Sequence, residues 1–94
     1  MYGTVARMRA KPGAVEKLVE FQRGYDQLRV PGYRGSYAYQ MDDDPNTIYL
    51  AVIFESKEAY RANAESPEQD ARYREMLALL EGPPEWHDGE IVSS

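Results

Sequence analysis

The chain has 94 residues and sets eleven Lys and Arg against sixteen Asp and Glu, for a net charge of −5 and a pI near 4.8. That length suits one domain, 1–94, and not two. The acidic balance excludes nucleic acid and anionic membrane as partners, because phosphate neutralisation needs clustered basic side chains and these are scattered among acids. With no cysteine, disulfides and thiolate metal sites are ruled out; a reducing compartment fits, and a cytoplasmic location is expected.

Residues Tyr2 to Ala10 alternate, with Thr4, Ala6 and Met8 on one side and Val5, Arg7 and Arg9 on the other, which predicts a strand. Two arginines inside this stretch set it apart from a signal peptide. No apolar run in the chain approaches the roughly 20 residues of a membrane-spanning helix. Lys11-Pro12-Gly13 punctuates the strand. From Ala14 the period lengthens: Val15, Leu18, Phe21 (with Val19), Tyr25 and Leu28 form an apolar stripe opposite Glu16, Lys17, Glu20 and Arg23. This helix stops before Pro31-Gly32, since the residue preceding a proline is pushed out of helical geometry.

Tyr33 to Met41 alternate again, placing Tyr33, Gly35, Tyr37, Tyr39 and Met41 on one face. Asp42-Asp43-Asp44-Pro45-Asn46 has the chemistry of a turn. Thr47 to Phe54 is a near-continuous β-branched and aromatic run, as expected of a central strand. Ser56 suits the N-cap of a short helix through Ala64. Ser66-Pro67-Glu68-Gln69 opens a second helical segment, with Ser66 as cap, Pro67 where its missing N–H is harmless, and Gln69 completing a capping box. Tyr73, Met76, Leu77 and Leu80 supply its apolar stripe, and Gly82-Pro83-Pro84 ends it. Glu85 to Val92 is a last strand, with a bulge or bend expected at Asp88-Gly89.

The order is β-α-β-β-α-β, a ferredoxin-like α+β fold with an antiparallel four-stranded sheet. Two helices cover one sheet face. Val5, Ile53 or Phe54, and the Tyr33/Tyr37/Tyr39 row cannot all lie beneath them, so the open face is expected to form a homodimer interface. RNA-recognition domains share this topology, but they stack bases on a basic-aromatic third strand. Thr47-Ile48-Tyr49-Leu50-Ala51-Val52-Ile53-Phe54 contains no Arg, Lys or Gly, and RNA binding is discarded.

Lys11-Pro12-Gly13, Pro31-Gly32-Tyr33 and Phe54-Glu55-Ser56-Lys57-Glu58-Ala59-Tyr60, together with this element order, resemble the antibiotic biosynthesis monooxygenase family over nearly the whole chain. The resemblance implies a dimeric α+β barrel, two sheets packed across a two-fold axis with a pocket between each sheet and its helices. Members of the family include cofactor-free oxygenases of phenolic polyketides, haem-degrading enzymes and quinol monooxygenases. The functional Asn, Trp and His of the haem-degrading branch would fall on Ala6, Asn63 and Tyr73, so all three depart; Tyr73 could ligate iron only as a phenolate. The phenol-oxidising branch has an Asn and a Tyr ten residues apart, as Asn63 and Tyr73 are here, although its intervening Trp would fall on Pro67.

Cofactor-free oxygenation needs an electron-rich phenol held dry, a group to take its proton and a donor to stabilise the anion. Asn63 and Tyr73 are the candidates implied by the resemblance. The plainer alternative has Asn63 at a helix break before Ser66 and Tyr73 in the core. His87, the one histidine, is a candidate general base or a surface residue. Met8, Tyr60 and Met76 are candidates to line the substrate pocket. Arg7 and Arg9 are expected to pair with Asp88 or Glu90 at the interface. Neither a metal nor a cofactor is expected: one His without a second His or Cys leaves only carboxylates, and the Asp42-Asp43-Asp44 run reads as a solvated turn. Two functions follow: a cofactor-independent monooxygenase of a small quinol- or phenol-like aromatic, or a non-catalytic dimeric small-molecule-binding or assembly module. An open cavity where Asn63, Tyr73 and His87 converge would favour the first; one filled by Met8, Tyr73 and Met76 would favour the second.

Overall fold

The computed structural model describes residues 1–94. Strand β1 (Tyr2–Arg9) is followed by helix α1 (Val15–Tyr25), a short 3-10 turn (Asp26–Leu28), strands β2 (Tyr33–Gln40) and β3 (Thr47–Phe54), helices α2 (Lys57–Ala64) and α3 (Pro67–Leu77), and strand β4 (Glu85–Glu90). The strands form one antiparallel sheet in the order β2-β3-β1-β4. The expected ferredoxin-like α+β architecture is present, with its second helical region split in two.

That split is written by two serines. Ser56 Oγ accepts from the Ala59 amide at 3.1 Å and starts α2. Ser66 Oγ accepts from the Gln69 amide at 3.1 Å and starts α3, with Pro67 in its first turn. The capping box is only half made. The Gln69 side chain turns to Arg72, and the Ser66 amide donates instead to the Asn63 carbonyl.

One side of the sheet carries the core. Ala6, Met8 and Ala10 meet Ile48 and Leu50, and Leu18, Met76 and Leu80 close over them. Leu80 lies beyond the end of α3 and forms a β-bridge with Ala10. Leu28, expected on the α1 stripe, is exposed, because the helix tightens into the 3-10 turn and Arg29 then leaves with φ 53°.

Two strand expectations need correction. Tyr33 does not share a face with Tyr37 and Tyr39. The ladder shifts between Tyr33 and Gly35, where Gly35 has φ 147°, so Tyr33 lies opposite Phe54 on the helix side. No bulge interrupts β4, which runs in unbroken register from Arg7↔Glu85 to Tyr2↔Glu90. The helix-free face presents Val5, Tyr37 and Tyr39, which are 49%, 63% and 56% exposed. Arg9 also lies on this side, but it binds Asp44 and Glu81 and not Asp88 or Glu90.

Candidate active site

The core fills only part of the space between helices and sheet. Beside it lies a cavity of about 440 Å³ to which the sheet and all three helices contribute. Its apolar lining includes Phe21, Leu50, Val52, Phe54, Met76 and Trp86. Aromatic rings brace one wall: Phe54 meets Tyr60 at 5.5 Å and Tyr33 at 5.7 Å between centroids, and Tyr33 meets Tyr25 edge-on at 4.9 Å.

The polar groups of the cavity fall into two clusters. On the helix wall, Asn63 Nδ2 donates to the Tyr25 hydroxyl at 2.8 Å, and Arg72 Nη2 donates to Asn63 Oδ1 at 3.4 Å. Arg72 also stacks over the Tyr25 ring, 5.3 Å from its centroid, while Gln69 Oε1 accepts from its Nε and Nη2. Arg72 has no carboxylate partner; Asp70, which also lines the cavity, pairs with Arg74. Since the Tyr25 hydroxyl accepts from Asn63, its own proton has no acceptor in the chain. Burial raises the Tyr25 pKa and outweighs the opposing effects of Asn63 and Arg72, so this hydroxyl stays a donor.

On the sheet wall, Thr4 and Asp88 are directly opposite each other across β1 and β4. Tyr60, one turn before Asn63 on α2, donates to Asp88 Oδ1 at 2.9 Å. Burial, and then the Asp88 carboxylate, push the Tyr60 pKa well above that of a free tyrosine. Its proton therefore stays on the bond to Asp88. The buried Thr4 hydroxyl lies close enough to the Tyr60 hydroxyl to oppose that rise weakly.

Of the residues singled out from the sequence, Asn63, Tyr73, Tyr60 and Met76 line this cavity. Asn63 also closes the helix break, its carbonyl accepting from both the amide and the hydroxyl of Ser66, while its side chain reaches the cavity. Tyr73 lies 6.2 Å from Trp86 between ring centroids. Met8 is packed in the core and does not line the cavity. His87 departs from the site altogether. It follows Trp86 by one residue, points to the opposite face of the sheet, and binds Glu85 Oε1 at 2.7 Å. Tyr25, Arg72, Thr4 and Asp88 were not foreseen as site residues. The spacing of Gln69 and Arg72 on one helix face was the one local signal for any of them. No three His, Cys, Asp or Glu side chains cluster closely enough to share a metal ion.

An α+β sheet-and-helix domain with an apolar cavity under its helices is thereby defined. The sequence matches the antibiotic biosynthesis monooxygenase family over residues 1–74, and the chain belongs to that family. No curated protein sequence matches the chain. Among solved structures, a Chloroflexus aurantiacus protein assigned to the antibiotic biosynthesis monooxygenases superposes with a TM-score of 0.80 at 24% identity, covering 99% of this chain and 94% of that one. SnoaB, a cofactor-independent oxygenase from Streptomyces nogalater solved as an asparagine-to-alanine variant, gives 0.81 at 16% identity, covering 99% and 94%. A Mycobacterium tuberculosis protein gives 0.78 at 18% identity, covering 99% and 96%.

Proposed function

We propose that this chain is a cofactor-independent monooxygenase of a small phenol- or quinol-like aromatic held in the helix–sheet cavity, and that it acts as a homodimer joined through the open sheet faces. The observation that carries the reading is the Arg72 guanidinium, without a counter-ion, beside the Asn63 amide and the free Tyr25 proton at the wall of an apolar cavity. Its volume of about 440 Å³ lies within the usual range of small-molecule sites. Family membership and the likeness to SnoaB support the reaction class.

The chemistry asks for little beyond this. For a phenol oxygen seated against Tyr25, Asn63 and Arg72, the positive charge and two donors favour the anion and offset part of the burial that keeps Tyr25 itself protonated. The proton leaves through the solvent-open side of the cavity, where Trp86 and Asp88 are exposed. The phenolate passes one electron to dioxygen, and recombination forms a peroxide at a para carbon that carries hydrogen. Loss of water then leaves a quinone: phenol and one O₂ become quinone and one H₂O. Tyr73, on the same wall, positions the ring against Trp86. The exposed Val5, Tyr37 and Tyr39 supply an apolar surface for a second copy.

Oxygen uptake with a panel of quinols and anthrone-like phenols tests the reading. Wild type consumes oxygen with at least one of them. Asn63→Ala lowers kcat/KM by about 100-fold, the scale of losing one anion-stabilising donor. Tyr73→Phe has a smaller effect. Turnover untouched by both substitutions would overturn the site. Binding without oxygen uptake would identify the alternative, a non-catalytic small-molecule-binding module, which the absence of His87 from the cavity favours.

A further inference from the structure

A second cavity, also of about 440 Å³, lies between α2, the start of α3 and the loop that joins α1 to β2. Asn63 and Arg72 line both cavities and so form a wall between them. Small residues make the room. Ala59 and Ala62 on α2 present only a methyl group each, and Leu28 and Pro31 of the loop complete an apolar side. The loop is pressed close to the helix, since a Cβ on Gly32 would come within 2.5 Å of that of Ala59.

The fold leaves three features of this cavity unexplained. Leu28 is a large apolar side chain and yet is 48% exposed. Arg29, at φ 53°, is the one residue other than glycine in the left-handed region, which a glycine would enter without strain. Neither Arg29 nor Arg72 makes an ion pair. The Arg72 guanidinium bonds to Gln69 and Asn63 through Nε and Nη2, while its Nη1 has no partner. Strain kept at a residue that pairs with nothing inside the chain fits a side chain held for something outside it.

The charges set the sign of the occupant. Glu55 also lines the cavity, but Arg34 holds it at 3.2 Å. Two arginines then stand against Glu68 alone, a positive site on a chain of net charge −5. A compact inorganic anion would leave the apolar side wet, and a neutral apolar molecule would make no use of the arginines.

We propose that this second cavity binds a small amphipathic carboxylate, a carboxyl group on a short hydrocarbon chain. Arg29 and Arg72 take the carboxylate, and Leu28, Pro31, Ala59 and Ala62 lie against the chain. Arg29 is the chief anchor, because Arg72 is already tied to Gln69, Asn63 and the Tyr25 ring. This site does not depend on the phenol reading of the other cavity.

Calorimetric titration with octanoate tests it, with 1-octanol and acetate supplying the chain and the charge separately. Wild type binds octanoate, and binds either control about tenfold more weakly, the scale of one charge-assisted hydrogen bond. Arg29→Gln and Leu28→Asp, both at exposed positions where substitution spares the fold, each weaken octanoate by about tenfold. Trp86, the one tryptophan, lines the other cavity and not this one, so its emission stays constant through the titration. No binding of octanoate at millimolar concentration, or equal affinity for octanol, overturns the proposal. Binding that survives both substitutions, or that changes Trp86 emission in step with the heat, assigns octanoate to the other cavity and overturns it as well.

Discussion

The two faces of the sheet are built from alternate residues of the same strands, yet they have opposite fates. On the helix side, Ala6, Met8, Leu50 and Phe54 are buried, and what is not filled by side chains is a cavity. On the other side, Val5, Tyr37 and Tyr39 lie open although they are as apolar as their neighbours. Alternation produces both surfaces at once; three short helices can cover only one. The covered face confers stability and holds the cavity. The uncovered one is the interface we propose for a second copy of the chain.

Substitutions that separate the faces should show unequal effects. Phe54→Ala removes a side chain that is 1% exposed and braced between Tyr33 and Tyr60. It should lower unfolding stability by about 3–5 kcal/mol in denaturant titration, the usual cost of such a cavity. A loss below about 1 kcal/mol would mean that the aromatic wall bears little of the fold.

The Tyr37→Glu, Tyr39→Glu double variant touches only the open face. Wild type should sediment as a dimer at micromolar concentration and the variant as a monomer with an unchanged far-ultraviolet spectrum. A wild-type monomer would break the comparison, since the open face would then have no partner.

The smallest effect concerns pH. Burial and the bond to Asp26 push the Tyr33 pKa up to about 12 from its ordinary value of 10.0. Because the folded state holds this proton more tightly, the stabilisation is complete below pH 10 and declines as pH rises through the folded value. Tyr33→Phe should remove that part of the alkaline decline in stability measured by denaturant midpoints. An identical decline in the variant would show that Tyr33 does not govern it.

Much of the fold was legible because it is local. Alternation placed Thr4, Ala6 and Met8 together, and Ser56 and Ser66 marked the helix starts through hydrogen bonds spanning three residues. Tyr33 was misplaced because a single extra residue in a ladder reverses every face before it, and glycine permits this without announcing it. Parity put His87 opposite Trp86 and Asp88, but parity alone does not say which side the helices cover.

The site illustrates the same boundary. Family resemblance pointed to Asn63 and Tyr73, and periodicity identified the strands and helices that carry them. Tertiary structure alone joined Asn63 to Tyr25 across 38 positions of sequence, set Arg72 above that ring, and brought Tyr60 to Asp88 across 28. The sequence by itself determined the elements, their order and the two alternating faces, because those depend on backbone periodicity and near-neighbour chemistry. Which face became the cavity, and which polar groups in it were left without partners, was decided only when three helices of limited width came down on one side of the sheet.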